Sequence, residues 1–237
     1  MTMLTIRRAH ERGHASHGWL DSWHLFSFAE YYDPRWMGWG NLRVINEDRI
    51  DPGTGFGRHG HRDMEIVSYV LEGALTHADS MGNTTTILPG QIQRMTAGTG
   101  VLHSEQNANR EGQTHFLQIW IEPAAQQLPP GYAQRDTGLE AARGQLKLLA
   151  APASQDLPEV MPLHADAAIY AGLLDGADTA ELTLAEGRKA AVFVARGSLQ
   201  VNGQQLHAGD TAFLADEAQL QLDGASAAEV LVFDLAA

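Results

Sequence analysis

Two runs decide how this chain reads: Phe56-Gly57-Arg58-His59-Gly60-His61, and Met95-Thr96-Ala97-Gly98-Thr99-Gly100-Val101-Leu102-His103-Ser104-Glu105. Each carries a pair of potential metal ligands two residues apart, His59/His61 and His103/Glu105. Side chains alternate faces along a β-strand, so both members of such a pair project the same way, with Cα atoms about 6–7 Å apart. Two such strands brought together gather three imidazoles and one carboxylate. That donor set suits Fe, Mn, Co, Ni, Cu or Zn rather than Mg or Ca. A lone His-x-His is a weak signal, but two pairs of matched parity separated by β-type sequence are not explained as unrelated surface positions.

The sequence around these runs is punctuated for strands. His61 to Leu71 contains the β-forming run Ile66-Val67-Ser68-Tyr69-Val70-Leu71, and Glu72-Gly73 turns the chain into a partner strand, Ala74 to Ser80. Met81-Gly82-Asn83 reads as a hairpin turn before strands at 84–88 and 91–96, and Phe116 to Ile121 reads as a buried strand. Toward the N-terminus, 3–8 and 41–46 are strand candidates and Asp51-Pro52-Gly53-Thr54-Gly55 is a turn. Glu11 to Asp33, rich in His, Trp and Phe, is expected as loop and short strand that either caps a barrel or lines a pocket mouth. Pro34 to Gly40 is expected as a turn with two exposed tryptophans, Trp36 and Trp39. Many short strands with Gly/Pro punctuation predict an all-β barrel or sandwich.

The second half repeats the first in outline. Val70-Leu71-Glu72-Gly73-Ala74-Leu75 has a counterpart in Val194-Ala195-Arg196-Gly197-Ser198-Leu199, and Leu88-Pro89-Gly90 in Leu206-His207-Ala208-Gly209-Asp210, each expected as strand, turn, strand. The ligand pairs are missing from the repeat, where His164 and His207 stand alone. The expected organisation is a metal-binding domain over 1–130 and a second barrel without metal ligands over 131–237. Polar Pro123 to Gly138 is expected as the linker, followed by a brief helix near 139–143.

Composition narrows the function classes. The chain has 237 residues, a net charge of −13 and no cysteine, so disulfides, thiolate ligands and cysteine nucleophiles are excluded. Residues 1–130 carry 10 Lys+Arg against 14 Asp+Glu, and residues 131–237 carry 6 against 15. With only Lys147 and Lys189 as lysines and no basic patch, direct binding to nucleic acid or to an anionic membrane is not expected. There is no apolar run long enough to span a bilayer and no signal-peptide core within Met1 to His10, so a cytoplasmic location is expected. Nine of the eleven histidines and all five tryptophans precede residue 131, which points to one working domain and one supporting domain.

The run Met95 to Glu105, with Val70-Leu71-Glu72-Gly73 following His-x-His, resembles the signature of the pirins, a family of the cupin superfamily. Ser16-His17-Gly18-Trp19-Leu20-Asp21-Ser22-Trp23-His24 and Phe26-Ser27-Phe28 are similar to the bacterial quercetinase-type branch. The resemblance covers nearly the whole chain and implies two jellyroll barrels, a bicupin. It implies His59, His61, His103 and Glu105 as ligands of one divalent transition metal, Fe(II) first, with Zn, Ni, Co, Mn or Cu as alternatives. In the general cupin pattern a further glutamate is a ligand. Here Glu65 comes one residue early, a shift that pirins share without using it, so it stays outside the ligand set.

The activity implied is quercetin 2,3-dioxygenase, in which O2 opens the central ring of a flavonol, a small aromatic substrate. Open coordination positions suit catalysis, although four protein ligands can also close a tetrahedral zinc site. Glu105 is expected to serve both as a ligand and as the base that takes the flavonol's 3-hydroxyl proton. His24, Phe26 and Phe28 are expected at the rim of the substrate pocket, where rings stack on a flat substrate, or else as core filling. His77 and His115 are read as structural. Two other classes stay open: a metal- or redox-dependent regulator acting on a protein partner, and a metal-stabilised barrel without turnover.

Overall fold

The computed structural model describes residues 3–237. Met1 and Thr2, the first residues of the domain expected over 1–130, lie outside the described residues. The described chain is all strand and connection. It opens with β1 (Met3–Arg7), β2 (Gly13–Ser16), β3 (Leu20–His24), β4 (Leu42–Ile50), β5 (Gly55–His61) and β6 (Glu65–Glu72). It continues through β7 (Leu75–Asp79), β8 (Thr84–Ile87), β9 (Gln91–Thr96), β10 (Val101–Gln106), β11 (Thr114–Ile121) and β12 (Gly131–Asp136). The second half holds β13 (Leu146–Pro152), β14 (Met161–Leu163), β15 (Ala167–Leu174) and β16 (Ala180–Thr183). It ends with β17 (Lys189–Val201), β18 (Gln204–His207), β19 (Thr211–Ala215) and β20 (Gln219–Leu235). Among the described residues the only helices are single 3₁₀ turns, one of them at Glu140–Ala142, where a brief helix is expected, and none is long and apolar enough to cross a membrane.

Two barrels result. In the first, a seven-stranded sheet, β12-β9-β6-β11-β4-β3-β2, faces a four-stranded sheet, β5-β10-β7-β8. In the second, one nine-stranded sheet closes over its own apolar interior, with β17 and β20 bending through register shifts so that both serve more than one wall. The expected turn at Gly197 is such an irregularity: β17 runs through it, and Gly197 sits against the Ser226 and Ala227 carbonyls.

The unbroken apolar runs follow from burial on both faces, which removes the alternation of a half-exposed strand. In β6, Val67, Tyr69 and Leu71 pack into the core between the barrels, whereas Ile66 and Val70 face the interior of the first barrel. In β11, Leu117, Ile119 and Ile121 face the second barrel, and Phe116 and Trp120 the interior of the first. The second barrel mirrors this: Ala191, Phe193, Leu231 and Phe233 meet the first barrel, while Val192, Val194, Leu214, Val230 and Val232 fill its own interior.

The sheets share strands across the expected division at residue 130. β1 pairs with β19 in the second barrel, and β12 pairs with β9 in the first. The stretch expected as a linker, 123–138, therefore contains a strand. As a half-buried edge strand with a polar sequence, β12 has no hydrophobic run to announce it. β4 continues four residues past the expected 41–46 strand, because Glu47 and Asp48 find partners inside the fold. The tryptophans expected on the surface also differ. Trp36 and Trp39 both lie 5.3 Å from the Phe213 ring, and Trp39 Nε1 donates to the Ala190 carbonyl at 3.0 Å. A turn that would be exposed on a lone barrel is covered here by the second one.

Polar ties reinforce the junction. Tyr69 Oη donates to Glu229 Oε1 at 2.7 Å, Arg196 donates to the Leu71 carbonyl at 2.7 Å, and the His164 backbone N–H donates to Glu65 Oε2 at 3.0 Å. Phe213, fully buried, is the point on which Phe26, Trp36 and Trp39 all converge. Phe213→Ala is expected to destabilise the protein by about 3–5 kcal/mol. Urea unfolding followed by tryptophan fluorescence checks this, and because the tryptophans all lie in the first half, the loss should appear there although the substitution is in the second.

Candidate metal centre

β10 is the middle strand of the site, with β5 on one side and β7 on the other. Its burial alternates cleanly: Val101, His103 and Glu105 point in, and Leu102 and Gln106 point out. Register places His103 opposite His59 on β5 and opposite Asp79 on β7, and Glu105 opposite His77. A register shift between His103 and Glu105 bends the strand there. Two glycines permit this packing. A Cβ on Gly55 would lie 2.2 Å from the Glu105 carbonyl oxygen, and one on Gly98, in the turn before β10 with φ of +47°, would lie 1.9 Å from the Leu128 oxygen.

The three imidazoles converge. His61 Nε2 stands 2.9 Å from His103 Nε2, which stands 3.1 Å from His59 Nε2. Two overlapping groups of donors could hold an ion, His59/His61/His103 and His77/His103/Glu105, with His103 common to both. Glu105 thus stands beside His103 and His77, deeper than the open end formed by His59 and His61. Ser68 donates its hydroxyl to Glu105 Oε1 at 3.1 Å. His77 Nε2 lies 3.0 Å from Asp79 Oδ2.

The electrostatics fit a cation. Burial lowers His61 to about 4 and His103 to about 3, so both rings are neutral at pH 7 and keep a lone pair. His59 Nδ1 is 2.7 Å from the Gly57 carbonyl, so it carries the proton and leaves Nε2 as a free acceptor. Nitrogens this close with too few protons among them make poor mutual hydrogen bonds and good ligands. Burial pushes the Glu105 carboxyl up to about 7, against the pull of the Ser68 hydrogen bond and with a further push from Asp48. A bound cation would return it to the ionised form.

A cavity of about 840 Å³ opens onto His59 and His61. This is the size of a small-molecule site. Trp19, Phe28, Tyr31, Phe56 and Trp120 supply aromatic wall, and Trp120 lies edge-on 4.9 Å from His61. Of the residues expected at the rim, His24 and Phe28 line this cavity. Phe26 does not: it is 1% exposed and packs 5.8 Å from Phe213 between the barrels. The strict alternation that would group it with His24 ends with β3. Glu65 turns to the second barrel. His115 bonds Glu47 at 2.9 Å, beside the Arg12–Glu47 ion pair.

Three residues near the centre were not expected there from the sequence: His77, read as structural, and Ser22 and Asp48. His77 reaches it because β7 pairs antiparallel with β10 across the intervening β8 and β9, whereas the short connection after Asp79 announces only the β7–β8 hairpin. Ser22 and Asp48 lie on the cavity wall, joined by a hydrogen bond from the Ser22 hydroxyl to Asp48 Oδ1. A charged residue in the interior of β4 was their one visible signal.

The chain matches two family models, Pirin over residues 5–121 and the quercetinase C-terminal cupin domain over residues 148–235. It is 43% identical over 233 residues to the quercetin 2,3-dioxygenase of Escherichia coli strain K12, covering 98% of this chain and 99% of that one. It is 40% identical over 224 residues to a pirin-like protein of Caulobacter vibrioides, covering 94% and 96%. The crystal structure of the bacterial pirin YhhW from Escherichia coli in complex with nickel(II) superposes with a TM-score of 0.93 at 41% identity, covering 99% of both chains.

His103 is shared by both donor groups, so His103→Ala should reduce bound metal from about one equivalent per chain to a small residue. Leu102→Ala, on the outward face of the same strand, should leave it unchanged. Elemental analysis of both variants, purified without chelators, checks this.

Proposed function

As a member of the pirin family, to which this chain belongs, it is a quercetin 2,3-dioxygenase, we propose, opening the central ring of a flavonol with O2. The observation that carries this reading is the junction of an aromatic-walled cavity with three converging imidazoles. We assign His59, His61, His103 and Glu105 to one divalent transition ion and take Fe(II) as that ion. Imidazole and carboxylate donors alone do not separate it from Zn, Ni, Co, Mn or Cu. Held there, Fe(II) would supply Lewis acidity toward the flavonol's 3-hydroxyl and a redox-capable centre for O2 chemistry.

The chain's own residues supply the rest. The cavity's aromatic walls hold a flat ring system and exclude water from its faces. Trp120, edge-on to His61, limits how the substrate approaches the imidazoles. Glu105 is the base: its carboxylate takes the proton of the 3-hydroxyl, and the Ser68 hydroxyl fixes Oε1 so that the other oxygen is the one that receives it. His59 is oriented by the Gly57 carbonyl, which keeps its acceptor nitrogen turned toward its partners. The second barrel, with its interior filled by Leu and Val side chains, serves as a buttress. A cytoplasmic location accords with a chain that has no cysteine to oxidise.

Two outcomes follow. Quercetin added anaerobically to the Fe(II), Mn(II), Ni(II) or Cu(II) form should shift the flavonol absorbance, and admitting O2 should then bleach it. Binding without bleaching would instead favour a regulatory binding protein. Glu105→Gln, which keeps an oxygen donor but weakens the base, should lower turnover by about 10²–10⁴-fold while lowering metal content far less. Equal loss of turnover and metal would remove the base role.

A further inference from the structure

The inward face of the seven-stranded sheet carries an anomaly. Across neighbouring strands, His24, Asn46, Gln118, Ser68 and Gln93 stand in register, one opposite the next. All five are buried. This polar row lies between apolar ones, Leu20, Ile50, Phe116 and Val70 on one side and Trp120, Ile66 and Met95 on the other. At its outer end Ser22 and Asp48, also opposite each other, widen it. A barrel interior with no ligand to hold would be filled with aliphatic side chains, as the second barrel is.

The hydrogen bonds within the row leave a surplus of one kind. Ser22 gives its proton to Asp48, so His24 Nε2, 2.9 Å from Ser22 Oγ, is the donor in that contact, and His24 Nδ1 is left as a bare acceptor. His24 Nδ1 and Asn46 Oδ1 are buried and have no partner, and Asp48 is a buried carboxyl alongside them. Buried unpaired acceptors are costly unless something donates to them. His24, Asn46, Asp48 and Gln118 line the same cavity as His59 and His61.

We infer that this acceptor-rich wall is a phenol-recognition subsite: with the flavonol's enol end at the imidazoles, ring hydroxyls elsewhere on the molecule donate to His24, Asn46 and Asp48, so the pocket selects polyhydroxylated flavonols over the bare ring system. The inference rests on the flavonol reading above and assigns it a substrate subclass. The chemistry is directional. A phenol offers an O–H donor where the wall lacks one, and a substrate without that hydroxyl buries the same acceptors without compensation.

The test compares quercetin with 3-hydroxyflavone, which keeps the 3-hydroxyl and carbonyl but has no other hydroxyl. Binding to the metal-loaded protein is measured anaerobically from the flavonol absorbance. The wild type should bind quercetin at least about tenfold more tightly. Asp48→Asn and Asn46→Ala should each weaken quercetin by about tenfold and leave 3-hydroxyflavone within about twofold. Should Asp48→Asn fail to fold, as judged by circular dichroism, Asn46→Ala and His24→Phe carry the comparison. Equal affinity of the wild type for both flavonols, parallel weakening of both by the variants, no effect of the variants, or no binding of either flavonol would each overturn the subsite. Admitting O2 to the same wild-type samples separates the two readings. Selective binding without bleaching removes the dioxygenase and keeps the subsite, and bleaching of both flavonols without selectivity does the reverse.

Discussion

The antiparallel register of β10 between β5 and β7 is the constraint on which the centre depends. It puts His103 opposite His59 on one side and Asp79 on the other. Slipping either pairing by one residue would turn its whole inward set to the outside. Register of this kind is held by what is buried on either side of it. Val101, inward on the same strand, packs with Ile66, Met95 and Ala97 of the opposite wall. At the other end Gly55 brings its backbone against Glu105 so closely that no side chain fits between them. The centre is thus positioned by packing and by a missing Cβ before any ion takes part.

The second constraint is energetic. Burying several imidazoles and two carboxyls, Glu105 and Asp48, in one barrel interior is unfavourable, as their displaced titration indicates. The first barrel is compensated from outside. The sheet that carries the polar row on one face presents Val67, Tyr69, Leu71, Leu117, Ile119 and Ile121 on the other, all packed against the second barrel. β1 and β12 each join a sheet of the opposite half. The second half's contribution is the apolar area it buries against the first barrel, which offsets a polar interior next door.

How much of this was legible depends on whether the information was local. The parity of the two i, i+2 pairs was readable because strand alternation is a property of neighbours; the structure brings His59, His61 and His103 within hydrogen-bonding distance and leaves Glu105 in a second group with His103 and His77. The duplicated all-β architecture was readable from strand spacing and turn residues. His77 was not, since its place follows from which strand pairs with β10. Ser22 and Asp48 were hidden for the same reason: their meaning lies in being opposite each other across β3 and β4. Trp36 and Trp39 were misplaced, and Phe26 took the core-filling alternative rather than the rim, because their apolar neighbour is the second barrel's Phe213. The polar row is the instructive case. Ser68 and Gln118 each interrupt an apolar strand, and in isolation each looks incidental until the register aligns them.

The central claim is that donors from adjacent strands of one sheet share a single ion. Anomalous diffraction from crystals of protein purified without chelators, collected on either side of the absorption edge of the metal found in it, addresses this directly. The account predicts one strong peak per chain, within bonding distance of His59, His61 and His103 Nε2 and of a Glu105 oxygen. No peak there, with the imidazoles hydrogen-bonded to one another or to ordered water, would contradict it, as would a peak held by other residues.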